Sequence, residues 1–348
     1  MDFSRRTMMA TLAAAMTVPP PLFGATPLAL AVSTKPRRLR PGDTIGLIEP
    51  ATASDEAFQL TLVEEAVTAM GLKPKRAPNL MGRHGYLAGT DEARAADVNA
   101  MFRDPEVKAI FAMRGGWGSA RMLPLLDWPM IRANPKLLLG FSDITALHMA
   151  IAAKAGFITL HGPNAGSAWG KSSVDHFRAI AFDGAAPLLT NPVGSEDRLA
   201  QRQWRTQTIG KGRARGRLLG GNLTVLTALA GTEYLPDFTG SILFLEDVEE
   251  AEYRIDRMLT QLGQAGVLGK VAGVVFGQCT NCVGSSSGRY GGFTLTDILA
   301  HHLGRLRVPA YQDAWFGHIA DQFTLPVGGM AEIDADAGTI RLLEPVVV

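Results

Sequence analysis

The residues of this chain best suited to covalent chemistry cluster at the ends of apolar runs. Gly140-Phe141-Ser142-Asp143 follows the expected strand Lys136 to Phe141, and a helix is expected to begin at Asp143. A tight strand-to-helix turn pushes a hydroxyl out of a sheet, and the amide after it can point into an oxyanion hole. The spacing is not Gly-x-Ser-x-Gly, because Ile144 stands in the last position. By itself the tetrapeptide favours a plainer role for Ser142, capping the helix. Gly115 and Gly116 also follow an expected strand, Val107 to Met113. Successive glycines let backbone N–H groups approach a ligand. Arg114-Gly-Gly-Trp-Gly lacks the Gly-x-Gly-x-x-Gly spacing of a dinucleotide fingerprint. Ser119 is a rival nucleophile, but it lies past the turn and is expected to precede a helix from Ala120 to Leu126.

A serine nucleophile needs a base, and the base needs an orienting partner. Of the 7 histidines, His301 and His302 fall on an exposed-looking helix, His176 in a polar segment and His148 in the helix after Ser142. His84, His161 and His318 are expected in loops. Gly317-His318 leads towards Thr324-Leu-Pro-Val-Gly and is free to face a cleft. Glu246 follows five residues of apolar strand, where a carboxylate is costly without a partner. A surface pairing with a nearby arginine explains it equally well. Asp247 competes for the same role, but strand alternation should send the two carboxylates to opposite sides. Cys279-Thr-Asn-Cys282 follows a strand and precedes a Gly/Ser-rich loop, which does not suit thioredoxin-like redox chemistry. Whether the pair forms a structural disulfide depends on geometry and compartment.

The chain has 348 residues, 47% hydrophobic and 19% charged, which suggests about two globular domains. A net charge of +1 gives no whole-chain attraction to nucleic acid or anionic membrane. The 38 glycines exceed the average of roughly 7%, without a collagen repeat. No four-ligand Cys/His zinc spacing occurs, and neither a metal nor a cofactor is expected. Residues 1–31 read as a leader rather than as fold. Arg5-Arg6 precedes an apolar stretch from Met8 to Val18, and Ala29-Leu30-Ala31 supplies a small-x-small cleavage pattern. This predicts a twin-arginine export signal and a periplasmic protein with no membrane span once the leader is removed.

From residue 39 the pattern is strand, loop and helix in repetition, which argues for a parallel sheet covered on both faces. The periodicity predicts a helix from Asp55 to Met70 with Phe58, Leu62, Val63, Ala66 and Met70 on its apolar face. Thr90 is expected to cap the next helix. Residues 191–217 are arginine-rich with few large apolar residues and read as a connection or paired ribbon between domains. An anion-binding patch is the other reading. Gly220-Gly-Asn is expected as a turn entering a helix, and the segment from Gly328 to Leu343 as two strands around Asp336-Ala-Gly.

The motifs Gly85-Tyr-Leu-Ala-Gly-Thr-Asp-Glu-Ala-Arg, Arg114-Gly-Gly-Trp-Gly, Gly140-Phe-Ser-Asp, His161-Gly-Pro, Leu218-Leu-Gly-Gly-Asn, Leu243-Phe-Leu-Glu-Asp and Gly317-His occur in order. Through them the chain, over most of residues 38–330, resembles the LD-carboxypeptidases. These are serine peptidases that include muramoyltetrapeptide carboxypeptidase and the microcin C immunity peptidase. The resemblance implies a catalytic triad of Ser142, Glu246 and His318. It implies backbone oxyanion donors at Asp143 and Gly115, with Gly116 as the alternative. It also implies a flavodoxin-like α/β domain, assigned to 38–190, a linker over 191–217, and a smaller β-rich domain over 218–348 with the active site between them. The implied activity is hydrolysis, through an acyl-enzyme, of the amide joining an L-centre to a terminal D-alanine in murein stem peptides. The implied assembly is a homodimer. A peptidase or amidase for other acyl-peptide amides, as in the microcin-immunity branch, and a catalytically silent periplasmic peptide-binding protein are the alternatives. Glu49 departs from the small residue usual after the first strand, and a carboxylate facing the cleft would repel peptide carboxylates.

Overall fold

The structure, a computed structural model, describes residues 34–194, 199–282 and 292–348. The expected leader lies outside them. The elements are β1 (Thr44–Ile48), α1 (Ala57–Ala69), β2 (Lys73–Arg76), α2 (Asp91–Arg103), β3 (Val107–Ala112), α3 (Ser119–Met122), α4 (Trp128–Ala133), β4 (Leu137–Gly140), α5 (Thr145–Lys154), β5 (Thr159–His161) and α6 (Lys171–Ala181). There follow β6 (Leu188–Thr190), β7 (Gln207–Gly210), β8 (Arg213–Asn222), α7 (Leu223–Ala228), β9 (Ile242–Val248), α8 (Glu252–Gln264), β10 (Gly273–Thr280), α9 (Leu295–Leu303), β11 (Ala310–Gln312), β12 (Leu325–Val327), β13 (Met330–Asp334) and β14 (Thr339–Leu342).

Among the described residues the strands form two sheets. The first has the order β12-β5-β4-β3-β1-β2. Its β2-β1-β3-β4-β5 part is parallel and has the flavodoxin-like strand order. The apolar runs Leu137–Leu139 and Ala109–Ala112 are buried throughout, as strands covered on both faces must be. The second sheet runs β6-β14-β13-β8-β9-β10-β11-β7. Its centre, β8 to β11, is parallel, and its flanking pairs are antiparallel.

Several elements differ from the sequence reading, each for a reason of long-range pairing. The stretch 191–217 contains β7 and the start of β8, so it is not simply a connection. Arg213 and Arg215 pair across the ladder with Asp334 (2.8 Å) and Glu332 (2.5 Å), which engages them within the sheet rather than as an anion patch. The boundary at 190 fails because β6 joins the second sheet. In return, β12 from the C-terminal half closes the edge of the first sheet beside β5.

Gly220 and Gly221 are not a turn but extend β8, at φ values of 145° and 143°. A Cβ on Gly221 would press into the Thr145 side chain, so β8 meets the start of α5 there only through glycine. On α1 the buried face is Leu60, Val63 and Val67, while Phe58 and Leu62 point outward. Two apolar sets interleave on this helix, and the one spaced i, i+3, i+7 packs on the sheet. Thr90 caps α2 as expected, accepting the Ala93 N–H at 3.2 Å.

Candidate active site

β4 ends at Gly140, Phe141 stays extended, and Ser142 turns sharply at φ 65° into the short 3-10 turn Ser142–Ile144 that leads to α5. A non-glycine residue in this left-handed region costs of the order of 1–3 kcal/mol and persists only where its surroundings impose it. Here they do. Phe141 N–H donates to Asn164 Oδ1 at 3.1 Å, and His148 Nε2 donates to the Gly140 carbonyl at 2.8 Å. Burial pushes the His148 pKa down to about 4, so this imidazole is neutral and its Nδ1 accepts from the Thr159 hydroxyl at 2.8 Å. Neither the 3-10 turn nor α5 has a side-chain cap: Phe141 and Ile144 hold those positions, and Ser142 lies inside the turn.

Its partner comes from the loop that runs from β11 of the second sheet to β12 of the first. His318 Nε2 lies 3.0 Å from Ser142 Oγ, and His318 Nδ1 lies 2.7 Å from Glu246 Oε2. A carboxylate only accepts, so Nδ1 carries the proton and Nε2 is left to accept from the serine. Glu246 sits near the C-terminal end of β9 and is 0% exposed. The His318 backbone is held from β10, because the Thr280 hydroxyl donates to its carbonyl at 2.8 Å. The Phe141 ring lies against the imidazole, with centroids 4.8 Å apart. Cys279 and Cys282, on either side of Thr280 and Asn281, are joined by a disulfide.

Burial alone would lower the His318 pKa. The hydrogen bond and charge of Glu246, helped by Asp247 and Glu249, outweigh it and raise the pKa above the ordinary histidine value. Asp247 points the other way, as strand alternation requires. It accepts from Asn222 Nδ2 (3.0 Å) and from the Thr224 N–H (3.0 Å) and hydroxyl (2.9 Å) at the start of α7. Burial first, and then the charge of Glu246, push its pKa up to about 6.

The loop after β3 packs against the serine. A Cβ built on Gly115 would lie 2.8 Å from Ser142 Cβ and 3.0 Å from its Oγ, so only glycine fits. The same point is 3.3 Å from the Asp143 nitrogen, which places both expected oxyanion-donor residues beside the hydroxyl. This loop is clamped at one peptide group. The Ser119 N–H donates to Asp143 Oδ2 at 2.7 Å, and Arg94 Nη1 donates to the Gly118 carbonyl at 2.8 Å. Opposite charges thus hold the two ends of the Gly118–Ser119 peptide. Ser119 itself is fully buried, with its N–H committed to Asp143, remote from the role of nucleophile.

The other histidines are placed differently from expectation in one respect. His161 is not in a loop but ends β5, fully buried among the rings of Phe141, Phe244 and Phe316. Burial holds its pKa well below the ordinary value, so it is a neutral core residue. His302 pairs with Asp256 at 2.6 Å, and His176 packs on Trp315 and Phe323.

Glu49 is buried instead of facing the cleft. It accepts from the Ser54 N–H (2.6 Å) and hydroxyl and from the Met81 N–H (3.2 Å), so its charge organises the loop after β1. A cavity of about 610 Å³ opens beside Phe141, lined also by Leu62, Met113, Arg114, Asn164 and Trp169. Among the described residues no group of three or more His, Cys, Asp or Glu side chains could hold a metal ion.

A hydroxyl bonded to a neutral imidazole, which is bonded in turn to a buried carboxylate, can attack an acyl carbon while passing its proton to the ring. Residues 45–162 match the LD-carboxypeptidase N-terminal domain and residues 215–333 match the LD-carboxypeptidase C-terminal domain. A probable murein peptide carboxypeptidase of Bacillus subtilis is 37% identical over 311 residues, covering 86% of this chain and 91% of that protein. The crystal structure of muramoyltetrapeptide carboxypeptidase from Oxalobacter formigenes superposes with a TM-score of 0.73 at 30% identity, covering 86% of this chain and 97% of that one. The microcin self-immunity protein MccF in complex with aspartyl sulfamoyl adenosine superposes with a TM-score of 0.80 at 26% identity, over 90% of this chain and 100% of that one.

The raised His318 pKa sets a pH dependence. His318 must be neutral to accept the serine proton, so activity is lost as pH falls through its pKa. The acid limb of kcat/KM should lie above the unperturbed histidine value of about 6.5. In Glu246→Gln the imidazolium loses its stabilising charge. The limb should move to lower pH while kcat falls on the order of 10⁴-fold, with the melting temperature little changed. Asp247→Asn should keep most of its turnover. A pH–rate profile of the three proteins, measured on a peptide amide, checks this.

Proposed function

The chain belongs to the LD-carboxypeptidase family, and from that premise we propose that it is a serine peptidase that removes the terminal D-alanine from murein tetrapeptides. The observation that carries the reading is the hydrogen-bonded line Ser142–His318–Glu246, at 3.0 and 2.7 Å. Ser142 attacks the carbonyl of the L-centre of the diamino acid, and His318 Nε2 takes the hydroxyl proton. Glu246 fixes the ring tautomer and stabilises the positive charge that develops on it. The oxyanion is met by the backbone N–H groups of Asp143 and Gly115, each worth about 3–4 kcal/mol in comparable sites. The imidazolium then gives its proton to the departing amine of D-alanine. Water, deprotonated by the same ring, hydrolyses the acyl-enzyme.

The test is direct. The purified protein incubated with free murein tetrapeptide should release one D-alanine, seen as tripeptide by mass spectrometry, and Ser142→Ala should release none. An intact tetrapeptide together with cleavage of an aminoacyl sulfamoyl nucleoside would move the chain to the microcin-immunity activity. Binding of the tetrapeptide with no cleavage of either compound would make it a silent binding protein.

We further propose that the enzyme works in the periplasm after twin-arginine export. The support is Arg5-Arg6 ahead of an apolar stretch and Ala29-Leu30-Ala31, together with the Cys279–Cys282 disulfide, a bond that persists in oxidising compartments. Replacing Arg5 and Arg6 with lysine should retain the precursor in the cytoplasm, as read by cell fractionation. Undiminished export of that double variant would rule out the route.

A further inference from the structure

Arg114 stands at the join of two features. It immediately precedes Gly115, whose backbone abuts the Ser142 hydroxyl, and its side chain lines the 610 Å³ cavity beside Phe141. Among the described residues lining that cavity it is the one lysine or arginine. Much of the wall is apolar, from Leu62, Val63, Met113, Phe141 and Trp169. A charge interaction there is screened less than it would be in open water.

The guanidinium is underused. Nη1 donates to the Ala53 carbonyl at 3.2 Å, and among the described residues no carboxylate forms an ion pair with it. Its neighbours are engaged differently. Arg94 bonds Asp91, the Gly118 carbonyl and the Pro50 carbonyl, and Arg83 pairs with Asp55 at 2.8 Å. Asp55 is the carboxylate that feels Arg114, but it is exposed and committed to Arg83.

We propose that the Arg114 guanidinium is the receptor for a free carboxylate of the bound peptide, which makes it a specificity-determining residue. The proposal rests on the reading of the chain as a carboxypeptidase. A guanidinium presents paired N–H donors that match a carboxylate, and Arg114 has such donors to spare. The terminal carboxylate is the nearest source. It lies one residue, about 3.5 Å of chain, beyond the scissile carbonyl, and Arg114 is one residue from the loop glycine that touches the nucleophile. The carboxylate on the side chain of the diamino acid is the second source with the same chemistry. Glu49, which would have opposed either, is buried and bonded elsewhere.

The experiment compares kcat/KM for three peptides: the tetrapeptide acid, its terminal amide, and the tetrapeptide with the diamino acid carboxylate amidated. Each is measured with wild type, Arg114→Lys and Arg114→Gln. Hydrogen bonds to a charged group are worth a factor of about 10 to 100. Wild type should prefer the acid over one of the amides by that factor. Arg114→Gln should lose the preference, chiefly through KM, and Arg114→Lys should restore part of it. Loss of the preference against the terminal amide identifies the terminal carboxylate as the ligand, and loss against the other amide identifies the side-chain carboxylate. Arg114 makes one hydrogen bond in a partly exposed setting, so the melting temperature of Arg114→Gln should match wild type. An unchanged acid-to-amide ratio in Arg114→Gln, with tetrapeptide cleavage intact, overturns the proposal and leaves the proposed function standing. A wild-type enzyme that cleaves none of the three peptides overturns both.

Discussion

The site depends on a carboxylate that water does not reach. Glu246 is fully buried near the end of β9, where an ionised group is stable only with a strong partner, and His318 Nδ1 supplies that partner at 2.7 Å. Several other features follow from this bond. It selects the tautomer that leaves Nε2 facing Ser142. It opposes the burial that would otherwise lower the pKa of the ring. It also ties the loop carrying Gly317 and His318 to β9, while Thr280 ties the same loop to β10. An imidazole held at both its ring nitrogens and its backbone has little freedom to leave the serine.

The other half of the line comes from β9 of the second sheet and from the loop joining β11 to β12, so the geometry of the site is also the geometry of the interface. Ser142 stands at the end of β4, in the first sheet, and His318 is 176 residues away in sequence. The sheets are brought into register where Gly221 lets β8 approach Thr145 and where the Thr145 hydroxyl accepts the Asn222 N–H at 2.9 Å. The edge strand β12, sent back from the C-terminal half to pair with β5, fastens the two together a second time. Strain at Ser142 is tolerated because bonds on all sides impose it. The same logic explains the Arg94–Asp143 clamp, which holds in place the loop that brings Gly115 against the serine.

Much of this was legible in the residues. Each apolar run that was expected to be a strand of the first sheet is one, because buried parallel strands need no partner pattern to be recognised. Strand alternation separated Glu246 from Asp247 correctly, since the period of two is local. The short motif at Ser142 could not decide between cap and nucleophile, because the deciding contact, with His318, is 176 residues away in sequence. The family resemblance named the same three residues that the geometry brings together. What stayed hidden was set by distant pairing. The start of β8 carries Arg213 and Arg215, which look solvated until Asp334 and Glu332 are placed opposite them. Nothing local to α2 marks Arg94, which is 1% exposed because backbone carbonyls and Asp91 surround its guanidinium. Glu49 reads as a cleft carboxylate until the Ser54 and Met81 amides are seen around it.

The claim on which the rest turns is that Ser142 is an activated hydroxyl. The direct measurement is reaction of the folded protein with a fluorophosphonate, followed by proteolysis and mass spectrometry to locate the adduct. The expected result is a single adduct on the peptide containing Ser142, formed much more slowly in the Glu246→Gln variant. An adduct on Ser119, or no adduct on protein that is hydrolysing peptide amides, would contradict it.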